Sequence, residues 1–487
     1  MEKITVFNNL TRSKEILKPI DSNNIKFYSC GPTTYNFLHV GNARALVVGD
    51  LFHRTMKAMG YNVKFVRNYT DVDDKILEAA RVRGIHPKEH ADEFIRECNT
   101  DMECLGMLPA SVTPTVSESM PEIIEMISDL IKNGYAYTVA KEDGAFEVLY
   151  NVPMFKEYGK LSKVQLESLQ HGVRVESDVN KKHPSDFVLW KPAKAAEGWS
   201  WDSPWGKGRP GWHIECSAMA KKHLGKTIDL HHGGVDLLFP HHENEIAQSE
   251  AANGCQFCNN WAHNEFLNFG SEKMSKSLGN VVTIRKFTET YSGSILRHIL
   301  LSVHYRSKLE WTEDSISKAI GEIERIHEFT IHLFGEQKAG AANPEELAKV
   351  QKALVDIKHE MANDFNVPGA MGILFGVIKD YNRLSKNGVD ALYTHAIIEI
   401  VNFMKDATGL VHDYPEEVLR QLNIARKHLS GTDNAGGDAE IEALLVERKE
   451  ARTTKNWAKS DEIRDRLNAL GVVVKDNPDG TATWSYK

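Results

Sequence analysis

The chain has 487 residues and a mass of 54.8 kDa, too long for one ordinary hydrophobic core, so we expect several domains. Hydrophobic residues make up 41% and charged residues 26%, a balance that excludes a disordered chain or one built mainly from membrane spans. The net charge of -8 excludes a globally basic nucleic-acid binder, so any such surface is local. Because we find no apolar run of membrane-spanning length and no secretory signal pattern, we predict a cytoplasmic protein.

The first elements along the chain predict a parallel sheet. A strand over residues 25–30 ends at Cys30, a turn follows, and an apolar helix begins near Gly41. A second strand is predicted over residues 62–68. The order strand, helix, strand is typical of a doubly wound α/β domain, in which ligands bind at the carboxyl ends of the strands. Cys30 lies at such an end.

The middle and C-terminal parts follow other patterns. Short strands and polar turns over residues 141–200 indicate an insertion, because alternating strands and helices resume at Gly211. From about residue 285 the apolar spacing is helical, which predicts a helical bundle. A glycine-rich segment, residues 430–438, is predicted to separate a small C-terminal module from that bundle.

Four side chains are candidates for one metal site. The six cysteines are too few and too scattered to cross-link a chain of this length, so we expect reduced thiols or metal ligands. His241 and Glu245 lie four positions apart, on one face of a helix, where both reach a single ion. Cys216 lies upstream of them, and Cys30 completes a set of two sulfurs, one nitrogen and one oxygen. Zinc accepts such a set.

Other residues offer alternative ligands. Cys255 and Cys258 form a C-x-x-C pair, which occurs in zinc and redox sites, but no second pair accompanies it. We therefore interpret them as ordinary thiols. His213, His231 and His232 lie close to the candidate set in the sequence, although a histidine near a metal more often hydrogen-bonds a ligand than binds the ion.

Two further segments indicate nucleotide binding. Residues 39–42 lie between the first strand and its helix, where backbone N–H groups and the helix dipole favour phosphate. Lys273 and Lys276 place two ammonium groups in a polar loop, where they would neutralise charge on a triphosphate as pyrophosphate leaves. Each segment alone is also typical of a solvated loop. Their occurrence together, in this order around an α/β core, favours the nucleotide interpretation.

In these two segments the sequence resembles the class I aminoacyl-tRNA synthetases, whose signatures are an early HIGH-type element and a late KMSKS element. Within that class it is similar to the cysteinyl-tRNA synthetases over essentially the whole chain. Two departures are visible: Asn42 replaces the histidine that usually ends the first signature, and His232 replaces a glycine before Gly233. The closer resemblance is carried by residues 66–75, 186–191, 208–219, 239–249 and 304–307.

The resemblance implies roles for four groups of residues. The zinc ligands are the set that ligand chemistry proposes: Cys30, Cys216, His241 and Glu245. The contacts to ATP, with Asp236 on the ribose hydroxyls, are His39, Gly41, Asn42, Gly234, Asp236 and Lys276. The residues implied in catalysis are His39, Asn42, Lys273 and Lys276. The residues implied in binding the amino acid are Cys30, Thr70 and Trp212.

The implied reaction has two steps. ATP, with Mg²⁺, activates L-cysteine to cysteinyl adenylate and pyrophosphate, and the cysteinyl group then passes to the terminal adenosine of tRNA(Cys). One zinc ion per chain would select the thiolate, and we expect a monomer with no membrane partner. Two alternatives stay open: a ligase that joins cysteine to an amino sugar, as in mycothiol synthesis, and a non-catalytic RNA-binding relative.

The resemblance also suggests domain limits and a tRNA contact. Aromatic and basic side chains near the C-terminus, among them Trp457 and Trp484, suit splayed anticodon bases and phosphate, although acidic neighbours balance their charge. The predicted units are a Rossmann-type catalytic domain in two halves (1–120 and 205–270), a connective insertion (121–204), a KMSKS-loop and stem-contact region (271–320), a helical bundle (321–430) and an anticodon-binding module (439–487).

Overall fold

The computed structural model describes residues 2–141, 144–165, 181–193, 198–269, 272–273, 282–429, 438–476 and 482–486. Lys276 and the glycine-rich segment 430–437 lie outside these ranges. No helix among the described residues is long and apolar enough to cross a bilayer.

A parallel sheet of four strands lies at the centre of the N-terminal part. Its order is β10-β9-β3-β4, so the two strands that precede the insertion lie beside the two that follow it in one sheet. Every residue of β9 is buried, as expected for a strand covered on both faces. The α/β class with a doubly wound parallel sheet, predicted from the sequence, is confirmed. The strands are β3 (Asn24–Ser29), β4 (Asn62–Arg67), β9 (Ile228–Gly234) and β10 (Cys258–Asn264).

Successive side chains of the strands point to opposite faces of the sheet and belong to two separate apolar cores. Phe27 and Phe65 face the core that includes helix α1, whereas Tyr28 and Val66 face the core that includes α4, α5 and α6. Helices therefore cover both faces of the sheet. The helices of this part are α1 (Val40–Ala58), α2 (Asp74–Arg83), α3 (Pro87–Cys104), α4 (Met120–Lys132), α5 (Trp212–Leu224) and α6 (Glu243–Asn253).

The insertion carries its own antiparallel sheet, with strand order β5-β6-β7-β8. Asp74, at the start of α2, forms ion pairs with Lys191 at 2.8 Å and with Arg209 at 2.6 Å. These pairs join the antiparallel sheet to helix α2. The strands are β5 (Ala136–Ala140), β6 (Phe146–Tyr150), β7 (Phe187–Pro192) and β8 (Gly208–Pro210), and a separate N-terminal hairpin comprises β1 (Thr5–Asn8) and β2 (Ser13–Ile16).

Helices dominate the chain after the sheet. A small sheet, in which β11 pairs with β12 and β13, leads into them. The C-terminal module has its own core, formed by Ile441, Ile463 and neighbouring apolar side chains. The elements are β11 (Leu267–Phe269), β12 (Glu272–Lys273), α7 (Ile284–Thr290), α8 (Gly293–Leu301), β13 (Leu309–Trp311), α9 (Glu313–Phe334), α10 (Pro344–Ala362), α11 (Val367–Leu384), α12 (Ala391–Thr408), α13 (Pro415–Leu429), α14 (Asp438–Thr453), α15 (Trp457–Ala469), β14 (Val472–Asp476) and β15 (Ala482–Tyr486).

A buried ion pair joins helix α1 to the bundle. Arg297 of α8 contacts Asp50 of α1 at 2.6 Å, and both side chains are almost completely buried. The same guanidinium donates hydrogen bonds to the carbonyl oxygens of Thr408, at the end of α12, and Leu105, after α3. Asp50 also pairs with Arg54 at 2.9 Å. Arg297 thus connects α8 to α1, to α12 and to the segment after α3. The Asp50 carboxylate balances its buried charge.

Replacing Arg297 by Met should lower the free energy of unfolding by about 3 kcal/mol or more, because the change leaves a buried carboxylate with reduced compensation. Urea unfolding followed by circular dichroism measures this loss. Arg420→Met is the matched control, since Arg420 pairs with Glu417 on the surface and the change should cost less than about 1 kcal/mol. Similar losses in the two variants would contradict the prediction.

Candidate active site and metal centre

The candidate metal ligands come together at the carboxyl edge of the parallel sheet. Cys30 follows β3, and Cys216 lies in α5. His241 lies just before the start of α6, and Glu245 lies in the first turn of that helix. One ligand atom from each residue falls within 4.8 Å of all the others. Cys30 Sγ is 3.8 Å from Cys216 Sγ and 3.5 Å from Glu245 Oε1, and His241 Nε2 is 3.1 Å from Glu245 Oε1.

These distances fit a tetrahedral ion. Zinc bonds of about 2.0 to 2.3 Å place neighbouring ligand atoms about 3.3 to 3.8 Å apart. Three of the four side chains are buried, while Cys30 is half-buried and forms the accessible side of the group. Two sulfurs, one nitrogen and one oxygen are a donor set that favours zinc over magnesium or calcium, which prefer oxygen alone. The residues present therefore fit a zinc ion.

The charges within the group favour metal binding at neutral pH. A hydrogen bond from the Cys30 thiol lowers the pKa of Cys216 to about 6, so this sulfur is a thiolate before any metal arrives. Burial raises the pKa of Cys30. Burial also raises the pKa of Glu245, but His231 and His241 outweigh it and hold that pKa at about 2. Burial lowers the pKa of His241, but Cys216 and Glu245 outweigh it and raise that pKa to about 10. A metal that binds these anions therefore displaces the His241 proton.

Hydrogen bonds from neighbouring histidines orient two of the ligands. His241 Nδ1 lies 2.9 Å from His213 Nδ1, which leaves Nε2 facing the ligand group. His231 Nε2 lies 2.9 Å from Glu245 Oε2 and fixes that carboxylate. The sequence interpretation of His213 and His231 as hydrogen-bonding neighbours agrees with these contacts. Cys30, His231, His242 and Glu245 form a second grouping with ligand atoms within 4.8 Å.

The competing thiols lie elsewhere. Cys258 is buried within β10, where its Sγ lies 3.1 Å from the carbonyl oxygen of Asn260. Cys255 is exposed, and neither sulfur belongs to either grouping of ligand atoms.

Trp212 and Thr70 lie beside the metal group. The Trp212 ring stacks on the His241 ring with centroids 4.2 Å apart, and the indole is 40% exposed. The buried Thr70 hydroxyl donates to Glu215 Oε2 at 3.0 Å. The sequence reasoning missed Glu215, a carboxylate inside the apolar run that leads to Cys216. The only sequence signal for Glu215 is the presence of a charged residue among apolar neighbours.

The first signature segment caps helix α1. His39 is the N-cap: its Nδ1 accepts a hydrogen bond from the Asn42 N–H at 3.2 Å, and its own N–H donates to Asn42 Oδ1 at 3.2 Å. A side chain at Gly41 would stand 2.9 Å from His39 Nδ1, so glycine is required there. Asn42, the residue that departs from the usual histidine, therefore completes the cap with a side-chain acceptor.

The chain that follows the lysine segment returns to the first signature. The Val40 N–H donates to the Val282 carbonyl at 2.9 Å, and the Ile284 N–H donates to the Leu38 carbonyl at 2.9 Å. Residues 38–40 and 282–284 therefore lie side by side. Lys273 belongs to strand β12, and the prediction for Lys276 falls outside the described residues.

The end of β9 forms a tight turn beside this edge. A side chain at Gly233 would lie 2.7 Å from the His242 ring, and one at Gly234 would lie 2.5 Å from Asp236 Oδ1. Glycine at both positions lets the backbone approach closely. His232 points instead towards α1, and burial lowers its pKa to about 3, so its imidazole is neutral.

The C-terminal module uses part of its predicted basic cluster internally. Arg448 is buried and pairs with Asp476 at 2.6 Å, and Arg452 pairs with the same carboxylate at 2.7 Å. Trp484 Nε1 donates to Glu442 at 2.7 Å. Trp457, in contrast, is 59% exposed at the start of α15. Of the two tryptophans, Trp457 presents the larger free aromatic face.

Comparison with known proteins agrees with this architecture. Residues 16–321 match the family described as "tRNA synthetases class I (C) catalytic domain", residues 356–412 match the "DALR domain", and residues 434–484 match the "Cysteinyl-tRNA ligase anticodon binding domain". A methionyl-tRNA synthetase from Mycobacterium tuberculosis superposes with a TM-score of 0.61 at 14% identity, covering 81% of this chain and 93% of that one. A leucyl enzyme from Agrobacterium radiobacter K84 gives a TM-score of 0.61 at 11% identity, covering 84% and 87%.

The fold and the two neighbouring signature segments define a class I tRNA synthetase. Among curated relatives, the cysteine-tRNA ligase of Idiomarina loihiensis is 43% identical over 98% of both chains, and that of Thermodesulfovibrio yellowstonii is 43% identical over 99% of both. The chain belongs to the cysteine-tRNA ligase family, and it is therefore a ligase. The amino-sugar ligase and the non-catalytic relative are not favoured, because the match includes the anticodon-binding module as well as the catalytic domain.

Proposed function

We propose that the chain joins L-cysteine to tRNA(Cys) in two ATP-dependent steps and selects the amino acid with one zinc ion. The convergence of the Cys30, Cys216, His241 and Glu245 ligand atoms within 4.8 Å carries this proposal. When bound there, zinc would ionise the substrate thiol and bind its sulfur, for which a serine hydroxyl is a poor substitute. Such selection is needed because a small apolar pocket alone discriminates weakly between similar side chains.

The surrounding residues would hold the amino acid and shape its pocket. Cys30 is the half-buried ligand, so the group opens on its side. Trp212, stacked on His241, would form one wall of the pocket and hold that imidazole in place. Thr70 and the buried Glu215, joined by a hydrogen bond, would close the opposite polar side. Coordination chemistry then replaces a separate editing step as the source of specificity.

The nucleotide would lie across the carboxyl edge of the sheet. His39, Gly41 and Asn42 shape the start of α1, where the helix dipole favours phosphate. Gly234 and Asp236 form the turn that suits ribose hydroxyls. Lys273 and Lys276, with Mg²⁺, would neutralise the charge that builds up as pyrophosphate leaves. Positioning and charge neutralisation suffice, because the cysteine carboxylate itself attacks the α-phosphate.

The tRNA would contact both ends of the molecule. Its terminal adenosine accepts the cysteinyl group at the sheet edge, while its anticodon lies near the C-terminal module. The exposed ring of Trp457 suits stacking on an unpaired base. The monomeric state and the cytoplasmic location remain predictions. Light scattering of the purified chain tests the first, and cell fractionation tests the second.

Metal analysis combined with cysteine-dependent pyrophosphate exchange tests the proposal directly. We expect about one zinc per chain and exchange that requires cysteine and is not supported by serine. Charging of tRNA(Cys) transcript is the second readout. Pyrophosphate exchange without any charging of tRNA, even at high transcript concentration, would favour the amino-sugar ligase instead. Full exchange in metal-free protein would refute selection by zinc.

A further inference from the structure

His232 is a side chain at the site to which the proposed function gives no task. It lies on β9, is wholly buried, and belongs to neither grouping of candidate metal ligands. Its carbonyl oxygen accepts a hydrogen bond from the Cys30 N–H at 3.2 Å, and its Nδ1 lies 3.0 Å from Ser29 Oγ. Both contacts fall on the end of β3. His232 therefore holds the short stretch of backbone that presents the Cys30 thiol.

The second ring nitrogen of His232 faces the next strand. When the Ser29 hydroxyl donates to Nδ1, the imidazole proton resides on Nε2, on the side of Asn264 at the end of β10. Nε2 and Asn264 Oδ1 are both buried, and neither has a hydrogen-bond partner within 3.5 Å among the described residues. The Nε2–H donor of His232 thus lies on the same side as the Asn264 Oδ1 acceptor. The imidazole therefore contacts the end of β3 through Ser29 and faces the end of β10 without a hydrogen bond to it among the described residues.

The space for this imidazole comes from helix α1. The Phe52 ring meets the His232 ring edge-on, with centroids 5.1 Å apart. One turn earlier, a side chain added at Gly49 would stand 3.3 Å from Ser29 Oγ and 3.5 Å from His232 Nδ1. The missing side chain at Gly49 and the large one at His232 are complementary in size. The absence of a side chain at Gly49 therefore lets the chain accommodate a histidine at position 232.

We propose that His232 is a positioning residue for cysteine binding: through Ser29 and the Cys30 backbone, and packed against Gly49, it sets the place of the Cys30 sulfur relative to helix α1. The proposal rests on the proposed role of Cys30 as a ligand. His232 contributes hydrogen bonds and shape, and it acts neither as a ligand nor as an acid or base.

The hydrogen bond to Ser29 is tested by two substitutions and a rescue. Ser29→Ala and His232→Leu should each raise KM for cysteine in pyrophosphate exchange about ten-fold, the factor that corresponds to roughly 1.4 kcal/mol. KM for ATP should stay within about two-fold. His232→Asn keeps a hydrogen-bonding atom near the place of Nδ1, so it should recover most of the cysteine affinity. In cobalt-substituted protein, Ser29→Ala should also shift the visible absorption bands, which report ligand geometry without turnover.

The packing against α1 is tested by non-additivity. Gly49→Ala should raise KM for cysteine, because the added methyl group presses on Ser29. The same change should have a smaller effect in a His232→Ser background, where the Ser29–His232 hydrogen bond is already lost. Two independent losses of structure would instead multiply in the double variant.

Three results would overturn the inference: unchanged cysteine KM and cobalt spectrum in both Ser29→Ala and His232→Leu, an equal rise in KM for both substrates, or effects of Gly49→Ala and His232→Ser that simply multiply in the double variant. The Cys216→Ser protein separates this failure from failure of the proposed function. Loss of zinc in Cys216→Ser with a silent Ser29→Ala refutes only the role of His232. Retention of zinc in Cys216→Ser refutes the metal assignment itself.

Discussion

Cys216→Ser should lose most of its zinc and should show a rise of more than about 100-fold in KM for cysteine, while KM for ATP changes little. Changes to residues that only support a metal ligand cost about 10- to 100-fold, so loss of a ligand should exceed that range. The effect is specific to sulfur, because Cys216 already carries the thiolate at neutral pH and a serine hydroxyl would not. Elemental analysis and pyrophosphate exchange at varied cysteine concentration measure the two effects.

Cys255→Ser provides the matched control for this variant. Cys255 is an exposed thiol outside the ligand group, so the same chemical change should leave zinc content and both KM values unaltered. A Cys216→Ser protein with full metal content and normal cysteine activation would show that this residue is not a ligand.

Lys276→Ala should slow adenylate formation by about 10²- to 10³-fold and leave cysteine affinity nearly intact. Removal of one preorganised group that stabilises transition-state charge typically produces a loss of this size. In the proposed function the amino acid would be held at the metal group and the Trp212 wall, so its binding should not depend on the lysine. Single-turnover formation of adenylate in a rapid-quench instrument measures the rate, and calorimetric titration of cysteine measures the affinity.

Lys286→Ala is the corresponding control, because Lys286 lies in α7, close in sequence to the lysine segment, and pairs with Glu289 on the surface. Its activation rate should match that of the unchanged protein. An unchanged rate in Lys276→Ala would remove this lysine from the chemistry, whereas equal losses in both variants would indicate a general electrostatic effect.

The central sheet could be predicted because its evidence is local. The strand that ends at Cys30 and the helix that follows are visible in the apolar spacing, and the order of these elements indicates parallel pairing. His241 and Glu245 were grouped because a spacing of four residues places side chains on one helical face. The addition of Cys30 and Cys216 rested on ligand chemistry, and the structure brings all four together. Their role as zinc ligands and the domain limits stay predictions.

The remaining contacts depend on how distant segments pair, which local patterns do not encode. Nothing in the sequence around Thr70 indicates that it meets Glu215, and nothing around His213 indicates that its Nδ1 meets His241. The internal pairing of Arg448 with Asp476 also required the fold, because charge counting alone does not distinguish a tRNA-binding surface from a solvated helix pair. These contacts depend on strand order and helix packing over long separations.

The pairing of residues 38–40 with 282–284 has a consequence for biosynthesis. The start of α1 emerges from the ribosome early, but the segment that lies beside it is made only after more than half of the chain. Contacts between such distant segments must pay a loop-closure cost and form late. The nascent chain therefore cannot complete the proposed nucleotide site until residue 284 has left the exit tunnel, so a truncated product released before that point should be unable to bind ATP there.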